Sequence, residues 1–127
     1  MTTYRLETIE KKSCTQIEYW TKDGLTAQRE IGWRWCWATY NEKPDLSDYD
    51  ENKDQIELYS LGDVNDMEQV DGCWESWTWP KEMDSDEAER LEELYNEEYD
   101  EGLENEGWVL DETEFWVSGP LELTEEN

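Results

Sequence analysis

The stretch from Leu25 to Tyr40 reads LTAQREIGWRWCWATY and indicates the fold more clearly than any other part of the chain. Trp33, Trp35 and Trp37 recur at a spacing of two, which places three indoles on one face of a β-strand. The alternate positions would take the opposite face, namely Arg34, Cys36 and Ala38. The pattern therefore predicts a long strand.

Shorter strand patterns lie on both sides of this stretch. Residues 4–11 alternate apolar and polar side chains, residues 15–21 are β-branched and aromatic, and Lys12-Ser13 would turn between them as a hairpin. The turn signal Lys22-Asp23-Gly24 leads into the long strand. Three further strands are predicted at Ile56–Leu61, Cys73–Trp79 and Thr113–Val117.

One helix is predicted, from about Ser85 to Glu101. Asp84 can cap its first turn, and Glu87 stands three residues later in capping-box position. Apolar side chains recur at helical spacing on one side: Ala88, Leu91, Leu94, Tyr95 and Tyr99. We expect the helix to pack by that side and to expose its carboxylates.

Together these elements predict an α+β fold in one domain, residues 1–127. An antiparallel sheet of about five or six strands would pack against the single acidic helix. Residues 41–55 form a polar connection, Gly62–Gly72 a loop, and the chain from about residue 122 an acidic tail.

Charge is divided unevenly along the chain. Residues 1–43 carry seven basic and six acidic side chains, whereas residues 44–127 carry three and 30. The net charge of −26 repels nucleic acid and acidic lipid and attracts basic surfaces at long range. The predicted partner is therefore a protein with a basic surface, with no nucleic acid and no membrane.

The acidity is dense enough to compare with duplex DNA, which carries about one charge per 1.7 Å of axis. The 26 net charges match roughly 44 Å of duplex, and a compact domain of this length is about 35–40 Å across. We expect a DNA mimic that competes for the cleft of a DNA-binding protein. The expected partner-binding residues are Glu89, Glu92, Glu93, Glu97 and Asp100 of the helix, and Asp63, Asp66, Glu68 and Asp71 of the loop.

The sequence contains no signature of a catalytic centre. Histidine is absent, and neither a phosphate-binding glycine loop nor a nucleophile motif occurs. A glycosidase needs two carboxyl groups about 5 to 10 Å apart beside a sugar cleft, and a chain with 36 acids is compatible with that class without pointing to it. We predict a non-enzymatic protein without cofactor or metal.

A calcium loop is the nearest metal motif. Asp48, Asp50 and Asn52 occupy the first, third and fifth positions of an EF-hand ligand set. Lys53 stands where glycine is required, and Tyr59 stands where the bidentate glutamate belongs. We therefore interpret this segment as a solvated polar loop.

The tryptophans allow two interpretations. Core packing is the simpler one, because indoles bury large apolar areas. A partner-binding aromatic patch or a sugar platform is the alternative, whereas base stacking conflicts with the sign of the charge. The residues concerned are Trp33, Trp35, Trp37, Trp77 and Trp79.

Cysteine usage and hydropathy bear on the compartment. Cys14, Cys36 and Cys73 cannot all pair within one chain, and their spacing matches no zinc pattern. Neither a run of 18 uncharged apolar residues nor a secretory signal occurs. We predict reduced, buried thiols in a cytoplasmic protein.

The chain also resembles a known group. The segment from Gly72 to Pro80, GCWESWTWP, the acidic helix and the segment from Trp116 to Leu123, WVSGPLEL, are similar to small acidic, Trp-rich proteins of T4-like cyanobacterial bacteriophages. The likeness covers about residues 30–124. It implies a phage-encoded protein made in the host cytoplasm, and small acidic phage proteins often act on host defence or transcription machinery.

Two other classes stay open from the sequence. A virion structural or adaptor protein would associate through an exposed Trp patch. A carbohydrate-binding or carbohydrate-active domain would place Trp beside a carboxyl pair.

Overall fold

A computed structural model describes residues 2–9 and 14–126 of the chain. Within these residues there are seven strands, one α-helix and one short 3-10 helix. In chain order they are β1 (Thr3–Thr8), β2 (Cys14–Lys22), β3 (Leu25–Tyr40), β4 (Gln55–Glu57), the 3-10 helix Leu58–Leu61, β5 (Val64–Thr78), α1 (Ser85–Asn105), β6 (Val109–Ser118) and β7 (Leu121–Glu126). The predicted Lys12-Ser13 turn lies outside the described residues.

The fold is mostly β, so the α+β prediction was wrong. Strands take 54% of the described residues, although the seven strands and single helix there are close to the expected elements. Much of the strand content beyond the prediction comes from Gly62–Gly72, which was expected to be a loop but lies mainly in β5. The described residues of the expected acidic tail belong to β7 (Leu121–Glu126), which pairs with β1 through six residue pairs.

The strand order is β4-β6-β2-β3-β1-β7, and β5 also pairs with β3. β1 is antiparallel to both of its neighbours, with Leu6 opposite Ala38 of β3 and Leu123 of β7. β4 is antiparallel to β6, with Ile56 opposite Val117. Long strands with many pairings explain how so polar a chain satisfies its backbone groups.

The chain divides into two compact units. Unit 1 contains Met1–Gln16, Ile31–Glu75 and Glu114–Asn127, and unit 2 contains Ile17–Glu30 and Ser76–Thr113. Each unit has its own group of buried apolar side chains.

The core of unit 1 corrects the expected role of the β3 tryptophans. Its buried residues are Leu6, Cys14, Cys36, Ala38, Tyr40, Leu58, Phe115 and Val117. Trp33, Trp35 and Trp37 are only half-buried, and Trp33 packs against this core. Cys36 and Ala38, which alternate with the indoles, are buried in the core, whereas Arg34 is exposed. The hydroxyl group of buried Tyr40 has a partner there, since it donates a hydrogen bond to the Leu58 carbonyl oxygen at 2.7 Å.

The prediction of three reduced thiols was also wrong. Cys14 and Cys36 are buried in unit 1 and form a disulfide, with a Cα–Cα distance of 6.3 Å. Cys73 is free and exposed. Pairing of β2 with β3 brings the two buried residues together, which their spacing of 22 along the chain does not reveal.

The core of unit 2 is built around α1. Its buried residues are Trp20, Ala27, Leu91, Tyr95, Leu103 and Trp108. The Asp84 cap is confirmed, since its carboxylate accepts the Asp86 N–H at 3.1 Å. The helix continues beyond the predicted end at Glu101 to Asn105. Gly102 packs so closely there that an added Cβ would lie 2.9 Å from the Leu94 carbonyl oxygen.

Tyr99 departs from the predicted apolar side of α1. Its backbone angles are φ 57° and ψ −141°, which interrupt the helix, and its side chain is 67% exposed. A non-glycine residue in this conformation costs of the order of 1–3 kcal/mol. The ring still meets Tyr95 edge-on, with the centroids 6.1 Å apart.

Candidate functional site

Five of the predicted partner-binding acids lie on α1, in unit 2. Glu89, Glu93 and Glu97 are exposed, whereas Glu92 and Asp100 are half-buried. A spacing of four residues aligns the three exposed acids along the helix, about 6 Å from one to the next. We call Glu89, Glu93 and Glu97 the helix acid row.

Arg90 is the only basic residue of α1, and its charge is already paired. Its guanidinium donates to the carboxylates of Glu87 and Glu106, and these hydrogen bonds raise the pKa of Arg90. Within the described part of the chain, no ion pair reaches the helix acid row. The row therefore presents uncompensated negative charge to solvent.

The other four predicted acids lie in unit 1. Asp63 precedes β5, and Asp66, Glu68 and Asp71 lie within that strand. All four are exposed, as predicted, but they are held by a strand instead of a loop. Asp66 and Glu68 share one face because they are two residues apart.

Asp71 differs from its neighbours on β5. Its φ of 58° is left-handed, and its carbonyl oxygen accepts a hydrogen bond from the Cys73 thiol at 3.5 Å.

The nine predicted acids form one group on α1 and another at β5, each within a different unit.

The acids around residues 45–54 serve local turns. Asp50 accepts the Asn52 N–H at 3.0 Å, and Asp54 accepts the Asp50 N–H at 2.9 Å. The backbone N–H of Ser47 donates to Asp45 at 2.9 Å, which lowers the pKa of that carboxyl. Across residues 2–9 and 14–126, no group of three or more Cys, Asp or Glu side chains is placed to hold a metal ion.

A cavity in unit 1 was not located by sequence reasoning. Its volume is about 420 Å³, and Trp33, Trp74 and Trp116 line it together with Arg34 and Gln55. These five residues come from β3, β4, β5 and β6, so no local sequence window contains them. Of the three indoles only Trp33 belongs to the Trp-x-Trp pattern, so that pattern gave no signal for Trp74 or Trp116.

Hydrogen bonds orient two of the three indoles. Trp33 Nε1 donates to Gln16 Oε1 at 3.0 Å, and Trp116 Nε1 donates to Glu114 Oε1 at 3.3 Å. With the N–H edge held by these partners, the ring orientation is restricted.

Two glycines let the indoles pack onto the sheet. A Cβ added at Gly32 would lie 2.0 Å from Trp74 Nε1, and one added at Gly72 would lie 3.4 Å from the Trp33 ring. Trp74 of β5 therefore lies on β3, and Trp33 of β3 lies on β5. Both rings of this reciprocal pair are walls of the cavity.

Unit 2 has an aromatic cluster of its own. Trp77 and Trp79 are stacked with centroids 4.8 Å apart and an interplanar angle of 9°. Trp77 meets Tyr95 edge-on at 5.2 Å, and Trp79 meets Trp108 edge-on at 5.7 Å. For these indoles the core-packing interpretation fits best, since both pack against the buried residues of unit 2.

No described helix is long and apolar enough to cross a membrane. Comparison with protein-family models, curated proteins and solved structures gives no match for this chain. The resemblance to phage proteins therefore stays a prediction.

Proposed function

We propose that this chain is a non-enzymatic acidic binding protein that engages a basic surface of a host protein by imitating DNA. The observation that carries the proposal is the helix acid row, exposed and without an ion pair among the described residues, in a chain of net charge −26. Such a field attracts a basic cleft over long distances and raises the rate of encounter.

Charge spacing on α1 supports imitation of DNA in particular. The helix carries ten carboxylates in 21 residues. The regular part before the interruption at Tyr99, residues 85–98, carries seven of them in 14 residues. At a rise of 1.5 Å per residue this is roughly one carboxylate per 3 Å, and one DNA strand carries a phosphate per about 3.4 Å. A cleft that binds phosphates by Lys and Arg would therefore meet a similar linear charge density.

The exposed acids of β5 add a second acidic surface within unit 1. Asp66 and Glu68 share a face of the strand, and Asp63 and Asp71 flank them. We place the encounter in the cytoplasm of a bacterial host, with a DNA-binding protein of the defence or transcription machinery as partner, as the resemblance implies.

Affinity capture from host lysate tests this function. The chain is immobilised, lysate is passed over it at low and at moderate salt, and bound proteins are eluted with duplex DNA. We expect a DNA-binding protein that DNA displaces, with at least about tenfold weaker binding at 200 mM than at 50 mM salt.

A pair of charge-matched variants identifies the surface. Glu89→Gln, Glu93→Gln and Glu97→Gln together remove three charges from the helix acid row. Glu42→Gln, Asp48→Asn and Glu51→Gln remove three exposed charges outside both groups. Equal affinity of the two variants, a partner that DNA does not displace, or no salt dependence would contradict the proposal.

A further inference from the structure

We propose that the cavity of unit 1 between Trp33, Trp74 and Trp116 binds a neutral pyranose sugar. This proposal is independent of the acidic surface, because no Asp or Glu is among the described residues that line the cavity. It assigns a small-molecule site to residues that the proposed protein partner does not require.

The cavity has the size of a ligand site, and two of its three indoles are held in place. Its volume of about 420 Å³ falls within the range of roughly 300–1,000 Å³ found for small-molecule pockets. Trp33 and Trp116 are held by hydrogen bonds to Gln16 and Glu114, and Trp74 rests on Gly32. Walls that are already ordered reduce the entropy lost when a ligand binds.

The lining combines aromatic faces with groups that suit hydroxyls. A pyranose ring has a C–H face that packs flat on an indole, and its edge carries hydroxyl groups that both donate and accept. The side chains of Gln55 and Ser118 also donate and accept, and Arg34 adds further donors. The lining is more polar than apolar, which suits a ligand that is rich in hydroxyl groups.

Charge selects a neutral ligand. The net charge of −26 repels anions as they approach, and Arg34 in the cavity wall disfavours cations. A nucleobase could stack on the same indoles, but its phosphates would meet the acidic field. A neutral ring with hydroxyl groups is compatible both with the net negative charge of the chain and with Arg34.

The same lining predicts binding without hydrolysis. Glycosidases place two carboxyl groups about 5 to 10 Å apart beside the scissile bond. The described lining offers no carboxyl group to act as acid, base or nucleophile. The site would hold a sugar and release it unchanged.

Indole N–H signals in a nitrogen–proton NMR spectrum test this proposal on the full chain. The probes are glucose, galactose, mannose, N-acetylglucosamine and the β-1,4 dimers of glucose and of N-acetylglucosamine, each titrated to tens of millimolar. We expect at least one probe to shift the signals of Trp33, Trp74 and Trp116, assigned with Trp→Phe variants, and to leave those of unit 2 unchanged.

Variants then localise the binding. Trp74→Ala should weaken the affinity about tenfold, the loss typical of one aromatic stacking partner. Gln55→Leu should also weaken the affinity. Because Gln55 is exposed, this second variant still tests the site if Trp74→Ala does not fold. Trp35→Ala is the matched control, since Trp35 lies on β3 near Arg5 and is not among the described residues that line the cavity.

Several results would overturn the proposal. They are the absence of any shift with every probe, equal shifts of all indoles, or unchanged affinity in both Trp74→Ala and Gln55→Leu. Tighter binding of glucuronate or adenosine than of every neutral sugar would overturn it as well.

Discussion

Trp74 covers Gly32 so closely that residue 32 has no room for a side chain. A Cβ there would lie 2.0 Å from Trp74 Nε1 and 2.4 Å from Cε2. The indole is 48% exposed and can move outward, so Gly32→Ala should displace it. We expect a loss of about 1–3 kcal/mol in the free energy of unfolding, measured by urea denaturation.

Two variants serve as controls for this substitution. Gly72→Ala places its Cβ at ordinary contact distance from the Trp33 ring, 3.4 Å, and should cost much less. In Trp74→Ala the obstacle is gone, so adding Gly32→Ala should cost little more. Additive losses in the double variant would contradict the steric explanation.

A buried ion pair anchors unit 2. Arg29 Nη1 donates to Glu18 Oε1 at 3.1 Å, both side chains are largely buried, and Trp20 Nε1 donates to the same carboxylate oxygen at 3.3 Å. The Arg29 guanidinium also lies 4.5 Å from the centroid of the Tyr95 ring. Arg29→Met should therefore cost about 3–5 kcal/mol, measured by chemical denaturation.

The paired substitution is the control for the charge effect. Glu18→Leu combined with Arg29→Met removes both charges and should recover part of the loss, because Trp20 Nε1 then loses its acceptor. If the double variant is as unstable as Arg29→Met alone, packing of the arginine stem is the larger contribution.

Stability should fall at alkaline pH because of Tyr40. Burial raises the pKa of Tyr40 well above its ordinary value of 10.0, and Glu57 and Tyr59 raise it further. Above pH 10 the unfolded chain loses this proton while the folded chain keeps it, so unfolding becomes easier by up to about 1.4 kcal/mol per pH unit. Denaturation curves between pH 8 and pH 11 measure this slope.

Tyr40→Phe distinguishes this cause from others. The variant loses the hydrogen bond to the Leu58 carbonyl, so it should be about 1 kcal/mol less stable near neutral pH. Its stability should decline less steeply above pH 10. An unchanged slope would assign the alkaline loss to other groups, such as Tyr49 and Tyr59, whose pKa values burial also raises.

The Cys14–Cys36 disulfide should stabilise the folded chain. It closes a loop of 22 residues, for which the loss of unfolded-state entropy corresponds to about 3 kcal/mol. Replacing both cysteines by serine should cost at least that amount, because two hydroxyls are then also buried in the core. Cys73→Ser should change little because Cys73 is exposed. In denaturant without reductant, a thiol assay should count one free thiol, and a count of three would contradict the bond.

Salt should raise the melting temperature. Carboxylates that crowd one surface repel each other, and moderate salt screens this repulsion. Neutralising the helix acid row should reduce the salt response more than neutralising Glu42, Asp48 and Glu51. Equal responses, measured by thermal denaturation, would show that the charge is spread evenly instead.

Elements with a local signal were predicted from the sequence. The strand at Leu25–Tyr40 follows from alternating bulky residues, and the start of α1 follows from the Asp84 cap. β5 was missed over most of its length because most of its side chains are exposed and none is fully buried, so its apolar residues do not alternate. Its pairing with β3 stabilises it, and pairing is not a property of a single segment.

The same distinction separates the two candidate sites, the helix acid row and the cavity of unit 1. Exposure of Glu89, Glu93 and Glu97 could be predicted, because helical spacing places them away from the apolar side. The cavity could not, since Gln55, Trp74 and Trp116 are distant in sequence and meet only through the strand order. The burial of Cys36 in place of the neighbouring indoles likewise depends on which face of β3 meets the core.

The acids of α1 and the contact between Gly32 and Trp74 should diverge at different rates during evolution. Long-range attraction depends on the sum of many carboxylates, so an acid lost at one position of α1 can be replaced by an acid gained at another. The contact between Gly32 and Trp74 depends on one pair of positions, and no distant residue can replace it. Related chains should therefore show interchanged acids on the helix and an unchanged glycine beneath the indole.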